Sequence, residues 1–157
     1  MTSSPFPGAF PHQHADPRGL FERIEAQLRE RIEEAIEMAG LKLMVDVRER
    51  HGRPKPETAS EADRREFETT AAALLRHLRD AFHADLPAEQ RAAFERLEAG
   101  QHDPRVRLLT GQVYLARQLP DYWQRFETYR AAYAEARLTA PDDAPKAGWL
   151  SRLFSGS

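Results

Sequence analysis

The chain has 157 residues, of which 41% are hydrophobic and 31% are charged, a balance typical of one soluble, helix-rich domain. A formal net charge of −2 gives no bulk attraction to nucleic acid or to an anionic membrane. The absence of cysteine excludes disulfides, thiol nucleophiles, thiolate zinc sites and iron–sulfur clusters. Twenty arginines stand against three lysines, which indicates a GC-rich, bacterial coding sequence.

The first sixteen residues lack the basic start and apolar block of a secretion signal, and they predict a disordered arm, 1–16. Asp16 and Pro17 then begin the first predicted helix, as an N-cap followed by a proline suited to the first turn. Apolar residues recur at helical spacing and form one stripe. The stripe comprises Leu20, Phe21, Ile24, Leu28, Ile32, Ala35, Ile36, Ala39, Leu43 and Val47.

Because Leu43 and Val47 continue this stripe past Gly40, we expect the helix to extend to about Arg50. The alternation within residues 41–47 also fits a strand, for which 106–108 and 112–115 are the candidate partners. The prolines of 51–56 then interrupt the helix, since proline is excluded from a helix interior.

Four further helices are predicted after this break. Ser60 caps the second, with Asp63 in the capping-box position, and a shorter third helix follows 85–87 and ends at Gly100. The fourth begins at 103–104 and carries apolar residues on more than one side, which predicts a central helix where Gly111 permits close approach of a neighbour. The fifth begins at 120–121. The sum is an all-α bundle of about five helices over 17–138.

A polar linker, 139–145, is predicted to separate this bundle from a detached amphipathic tail, 146–157. Wound as a helix, the tail places four large apolar residues within one arc of about 140°. We expect these residues, together with Lys146 and Arg152, to bind a membrane or a partner protein; docking of the tail back onto its own bundle is the third alternative. The four are Trp149, Leu150, Leu153 and Phe154.

The tail resembles the C-terminal membrane-targeting helix of the bacterial division-site ATPases of the MinD family. The resemblance covers about eleven residues and follows the pattern Lys-x-Gly-aromatic-Leu-x-Arg-Leu-Phe-x-Gly. The matching positions are Lys146, Gly148, Trp149, Leu150, Arg152, Leu153, Phe154 and Gly156. It implies membrane anchoring and no activity, because the nucleotide-binding motifs of that family are absent from this chain.

An aromatic stripe runs along the fifth predicted helix, with spacings of four, three and four residues between its rings. Such a stripe is typical of core packing or of a groove for a partner, and nearby arginines make base stacking a weaker alternative. Its members are Tyr122, Phe126, Tyr129 and Tyr133.

No catalytic or metal-binding constellation passes a spacing test. His77 and His83, with Asp85 nearby, are chemically apt metal ligands, but a spacing of six puts the two imidazoles about 120° apart on a helix. Phosphate loops, nucleotide fingerprints and serine-hydrolase elbows are absent. The glutamates at 33, 34 and 37 alternate with Arg29 and Arg31, a pattern typical of surface ion pairs within one helix.

Charge is uneven along the chain. Residues 104–138 carry six arginines and three acids, whereas residues 54–103 carry seven basic and eleven acidic groups. This asymmetry fits pairing between surfaces of the molecule, a mild docking polarity, or solvated helix faces.

We therefore expect a non-catalytic bacterial adaptor or assembly protein that attaches through its tail to a membrane surface or a partner protein, with a homodimer as one form. The alternative is a regulatory module that binds nucleic acid, or an enzyme of nucleic acid, through helices 104–138. An enzyme with an unrecognised site is a third hypothesis. No metal, cofactor or small-molecule substrate is expected. The expected location is the cytoplasm, with or without peripheral attachment to the inner membrane.

Overall fold

The computed structural model describes residues 17–57 and 60–140, and within these ranges the chain forms five helices and no strand. They are α1 (Pro17–Arg50), α2 (Glu61–Asp85), α3 (Ala88–Ala99), α4 (Pro104–Gln118) and α5 (Tyr122–Thr139). The predicted all-α bundle is confirmed, and residues 41–47 are helical, so the strand alternative is wrong. The predicted arm 1–16 and tail 146–157 lie outside the described residues.

Local capping chemistry sets several of these helix ends. The Asp63 amide donates to Ser60 Oγ at 3.3 Å at the start of α2, as the sequence predicts. The Val106 amide donates to Asp103 Oδ1 at 3.0 Å, with Pro104 in the first turn of α4. The last helix, α5, ends at Thr139, within one residue of the predicted boundary at 138.

Contacts between charged side chains show how the helices run. Arg48, near the end of α1, pairs with Asp63 near the start of α2 at 2.6 Å, so these two helices are antiparallel. Arg105 and Arg117 of α4 pair with Glu33 and Glu25 of α1, so α4 is also antiparallel to α1. The short α3 returns the chain from α2 to α4.

The fifth helix runs parallel to α1, but it begins later along it. Trp123, in the first turn of α5, lies under the Arg31 guanidinium, whose Cζ is 4.3 Å from the ring centroid. Leu138, in the last turn, lies beside Asp46 and Glu49 near the end of α1. The first turns of α1, before about residue 28, therefore extend beyond the start of α5.

One hydrophobic core is built from all five helices, and α4 lies at its centre. Gly111 of α4 allows the close approach that the sequence predicts, because a Cβ there would lie 2.6 Å from Cε1 of Phe94 in α3. The large side chains that are almost fully buried are Ile32, Leu74, Leu75, Leu78, Phe82, Phe94, Leu115 and Tyr122.

Candidate partner-binding surface

Three large apolar side chains near the start of α1 are left uncovered. Leu20 is 50% exposed, Phe21 56% and Ile24 49%, although all three belong to the stripe that is buried further along the helix. Ile24 and Arg31 are seven residues apart and so lie on nearly the same side of α1. Arg31 contacts Trp123 in the first turn of α5, so the shelf residues lie before the point along α1 at which α5 begins. We call Leu20, Phe21 and Ile24 the shelf.

One arginine of α4 borders the shelf. Arg117 Nη1 donates to Glu25 Oε2 at 2.5 Å, and its guanidinium carbon lies 5.0 Å from the centroid of the Phe21 ring. This arrangement satisfies both the ion pair and a cation–π contact, and it holds the first turns of α1 against the end of α4. The shelf is therefore attached to the bundle along one edge, while its apolar side faces solvent.

A groove of about 440 Å³ opens on another side of the same turns, between α1, α3 and α4. Its floor is apolar and its rim is charged, which is the usual anatomy of a protein-binding surface. The floor comprises Ala26, Leu97, Val113 and Tyr114, and the rim comprises Glu22, Glu25, Arg29 and Arg117. Leu97 of α3 and Ala26 of α1 are both exposed, so the floor is open to an incoming side chain.

Most of the charged side chains on the rim already have polar partners. Arg29 Nη2 donates to Thr110 Oγ1 at 3.0 Å, and Arg117 is paired with Glu25. Glu22 makes no ion pair with any other described residue. Among the described residues, the groove thus offers an apolar floor with one carboxylate outside any ion pair at its edge, which favours an apolar ligand that carries a cation.

The aromatic stripe predicted on α5 packs against α2. Tyr122 is 1% exposed, its ring stacks on Phe82 with centroids 5.1 Å apart, and its hydroxyl donates to Gln112 Oε1 at 2.6 Å. Burial raises the pKa of this phenol well above its usual range. Phe126 is also buried.

The other two rings of the stripe are half-buried. The Tyr129 hydroxyl donates to Asp85, and its pKa rises to about 12 because of partial burial and of that carboxylate. The Tyr133 ring lies 4.7 Å from the imidazole of His77. Contacts inside the bundle account for all four rings of the stripe, and a role for them in binding a partner stays a prediction.

The three candidate metal ligands each contact a different side chain. His83 Nε2 lies 2.7 Å from Glu95 Oε2, whereas His77 lies against Tyr133 and Asp85 accepts from Tyr129. Across residues 17–57 and 60–140, no three histidine, aspartate or glutamate side chains gather closely enough to hold a metal ion.

The contacts of two arginines of α1 differ from those that the sequence predicts. Arg29 and Arg31 were expected to pair with glutamates of their own helix, but they contact Thr110 of α4 and Trp123 of α5. The expectation was wrong because this part of α1 lies between two neighbouring helices, which a single-helix pattern does not reveal.

Five of the six arginines of 104–138 also make polar contacts inside the molecule. Two pair with α1, two pair with acids of their own helix turn, and Arg107 donates to the Gln101 carbonyl at 3.0 and 3.1 Å. The other four are Arg105, Arg117, Arg125 and Arg130. The excess positive charge of α4 and α5 is therefore largely neutralised by contacts within the molecule.

A salt-bridge network closes the opposite end of the α1–α2 pair. Arg48 donates to Asp63 at 2.6 Å and to Glu66 at 2.9 Å, and it also reaches the Pro54 carbonyl. The Glu57 amide and then the Arg48 guanidinium hold the pKa of Asp63 below its usual range. This network holds the turn after α1 in place, and its role is to stabilise the fold.

Sequence reasoning missed the shelf and the groove. Leu20, Phe21 and Ile24 were recognised only as part of an inward-facing stripe, and the groove draws its floor from three separate helices. The tail residues predicted to bind a partner or membrane, from Lys146 to Phe154, lie outside the described residues.

None of the described helices is both long enough and apolar enough to cross a bilayer. The chain matches no protein-family model, and comparisons with curated proteins and with solved structures find no similar chain.

Proposed function

We propose that this protein is a non-catalytic adaptor or assembly protein, in which a stable helical bundle presents an apolar surface at one end and an attachment segment at the other. The observation that carries the proposal is the shelf, where three large apolar side chains are about half exposed on adjacent turns of α1. Exposed apolar side chains grouped in this way, beside a groove with a charged rim, are typical of a protein interaction site.

The two ends of the bundle are well separated. Leu138 lies beside residues 46–50 of α1, and the shelf begins about 33 Å away along that helix, at about 1.5 Å per residue. The predicted tail, 146–157, follows the described end of α5 in the sequence, close to Leu138. A chain with binding surfaces at two distant ends can connect two components, which is the work of an adaptor.

The attachment itself is assigned to Trp149, Leu150, Leu153 and Phe154, with Lys146 and Arg152 beside them. Their amphipathic pattern fits an anionic membrane surface or a partner groove. A single short helix of this kind binds a membrane weakly, so membrane attachment calls for self-association or a second membrane-bound component.

A catalytic role receives little support from the described residues. The groups with shifted pKa values belong to ion pairs or to tyrosines packed against α2, and they do not converge in a pocket. A nucleic-acid role through 104–138 is disfavoured because most of those arginines already have acidic or carbonyl partners.

Substitution in the full-length chain tests the proposal. W149D/F154D removes the apolar side of the tail, and we expect it to abolish flotation with anionic phosphatidylglycerol vesicles or to abolish self-association measured by light scattering. Met38→Asp is the matched control, because Met38 is exposed on the bundle and lies outside the shelf and groove. If W149D/F154D and the parent chain behave alike in both assays, the tail is not the attachment segment.

A further inference from the structure

We propose that the groove between α1, α3 and α4 binds residues 149–154 of a second copy of this chain, so that two protomers exchange tails. This inference rests on the proposed function, in which the tail is the attachment segment, and it names the partner. Three features carry it: the shape of the groove, the charge at its rim and the distance from the end of α5.

The groove fits a short amphipathic helix. Its volume of about 440 Å³ lies within the range of pockets that enclose a small molecule, about 300–1,000 Å³. It follows α1 from Glu22 to Arg29, a length of about 10 Å at 1.5 Å per residue. The apolar residues of the tail, from Trp149 to Phe154, extend over about 8 Å of helix on the same scale. About one and a half turns of helix therefore fit within the available length.

Charge at the rim is complementary to the tail. Glu22 is the rim carboxylate without an ion pair among the described residues, whereas Glu25 is neutralised by Arg117. Helical spacing puts Arg152 on the polar side of the tail, opposite its apolar arc. A tail that inserts Trp149 and Phe154 into the floor leaves Arg152 at the edge, where it can pair with Glu22.

The tail of the same copy reaches this groove only with a taut linker. Leu138 lies beside Asp46, and the nearest end of the groove, at Arg29, is about 26 Å further back along α1. The groove also opens on another side of that helix, since Ala26 in its floor and Arg31, which faces α5, are about 140° apart. Nine residues from 140 to 149 span at most about 31 Å when fully extended.

A second copy removes this strain. If two bundles associate about a two-fold axis with their α1 helices antiparallel, the Leu138 end of each lies beside the groove of the other. Each tail then crosses only the interface, and the two identical contacts close the dimer. The second contact forms at the high effective concentration set by the first, so two weak tail contacts together hold a stable pair.

Cysteine cross-linking between full-length chains tests the exchange directly, because the natural sequence contains no cysteine. One chain carries Ala26→Cys in the groove and the other carries Leu150→Cys on the apolar side of the tail. Both changes are single, so a disulfide that joins them can form only between copies. We expect the oxidised mixture to give a covalent dimer about tenfold or more above the background of either variant alone.

Matched controls test whether the contact is specific to the groove and to the apolar side of the tail. Met38→Cys is exposed on α1 outside the groove, and Ser151→Cys is on the polar side of the tail, so neither is expected to exceed background. Circular dichroism establishes that each variant is folded. In parallel, light scattering should show that the parent chain is a dimer and that W149D/F154D is a monomer.

Two outcomes overturn the proposal. One is a mixture that cross-links no more than the Met38→Cys control. The other is an internal disulfide in the double variant A26C/L150C without a covalent dimer, which assigns the tail to its own copy. Vesicle flotation separates the failures: if the chain floats through its tail but does not cross-link, the proposed attachment stands and the exchange is wrong; if it does neither, both are wrong.

Discussion

The two parts of α1 carry the same apolar stripe in different surroundings. In the inner part, residues 32–47, Ile32, Ile36 and Leu43 are buried against neighbouring helices. In the outer part, residues 17–28, Leu20 and Ile24 are about half exposed. The spacing of apolar residues does not change between the two parts. What changes is the packing around the helix, since α5 begins beside Arg31 and the preceding turns lie before its start.

This difference shows that periodicity predicts which side of a helix faces its neighbours but does not predict whether a neighbour is present. A stripe that continues past the edge of its own bundle needs another cover, from a partner or from a second copy. We therefore expect the outer part of α1 to contribute to binding and the inner part to contribute to stability.

The largest expected effect compares two isoleucines of this one stripe. Ile32→Ala should lower the free energy of unfolding by about 2–5 kcal/mol, because Ile32 is fully buried and its loss leaves a cavity. Ile24→Ala should lower it by less than about 1 kcal/mol, because that side chain already faces solvent. Urea denaturation of both variants measures the difference. Equal losses would mean that the outer part is covered like the inner part.

A second comparison adds volume instead of removing it. Gly40 packs so closely on α2 that a Cβ there would lie 3.2 Å from Cα and Cβ of Ala71. Gly40→Leu should therefore lower the free energy of unfolding by about 1–3 kcal/mol through overpacking. Ala26→Leu, in the outer part of the same helix, should change it by no more than about 0.5 kcal/mol. Thermal unfolding of the two variants tests this, and a neutral Gly40→Leu would contradict the close contact.

Acid should weaken the inner end of α1. The Glu57 amide and Arg48 lower the pKa of Asp63 in the folded state, so the folded protein binds fewer protons than the unfolded chain. This contribution is present above the unfolded pKa of about 3.9 and is lost as pH falls through the lower folded value. Asp63→Asn should therefore reduce stability at about pH 7, and the gap from the parent chain should narrow below about pH 3.

The control for this measurement is Glu61→Gln. Glu61 pairs with Arg65 on the surface of the same helix, and such exposed pairs contribute little. Denaturant titrations at several pH values follow all three chains. A gap between the parent chain and Asp63→Asn that stays constant from neutral to acid pH would show that the Asp63 carboxylate is not the source of the effect.

The smallest expected effect on stability is at the shelf. The double variant L20E/I24E should change the free energy of unfolding by no more than about 0.5 kcal/mol, because both side chains are half exposed. It should clearly shorten retention on a hydrophobic-interaction column, since it removes most of the shelf. Met38→Glu introduces the same chemical change elsewhere on α1 and is the reference. If L20E/I24E unfolds the protein, the shelf belongs to the core.

The helices themselves follow from local chemistry that the sequence displays. Ser60 and Asp103 each accept a backbone amide at a helix start, and α3 ends before Gly100, as their positions in the sequence predict. Gly111 marks a close approach, and its partner proves to be Phe94. The caps depend on residues within one turn of each other, so they can be deduced without knowing the fold, whereas the partner of Gly111 cannot.

Only the tertiary structure decided which turns of α1 are covered and where the arginines find their partners. Arg29 reaches Thr110, 81 residues away, and Arg117 reaches Glu25, 92 residues away. The groove combines Ala26, Leu97 and Tyr114 from three helices. Such arrangements depend on where one helix begins relative to another, and that offset is set by the packing of the whole core, which no local pattern along the chain contains.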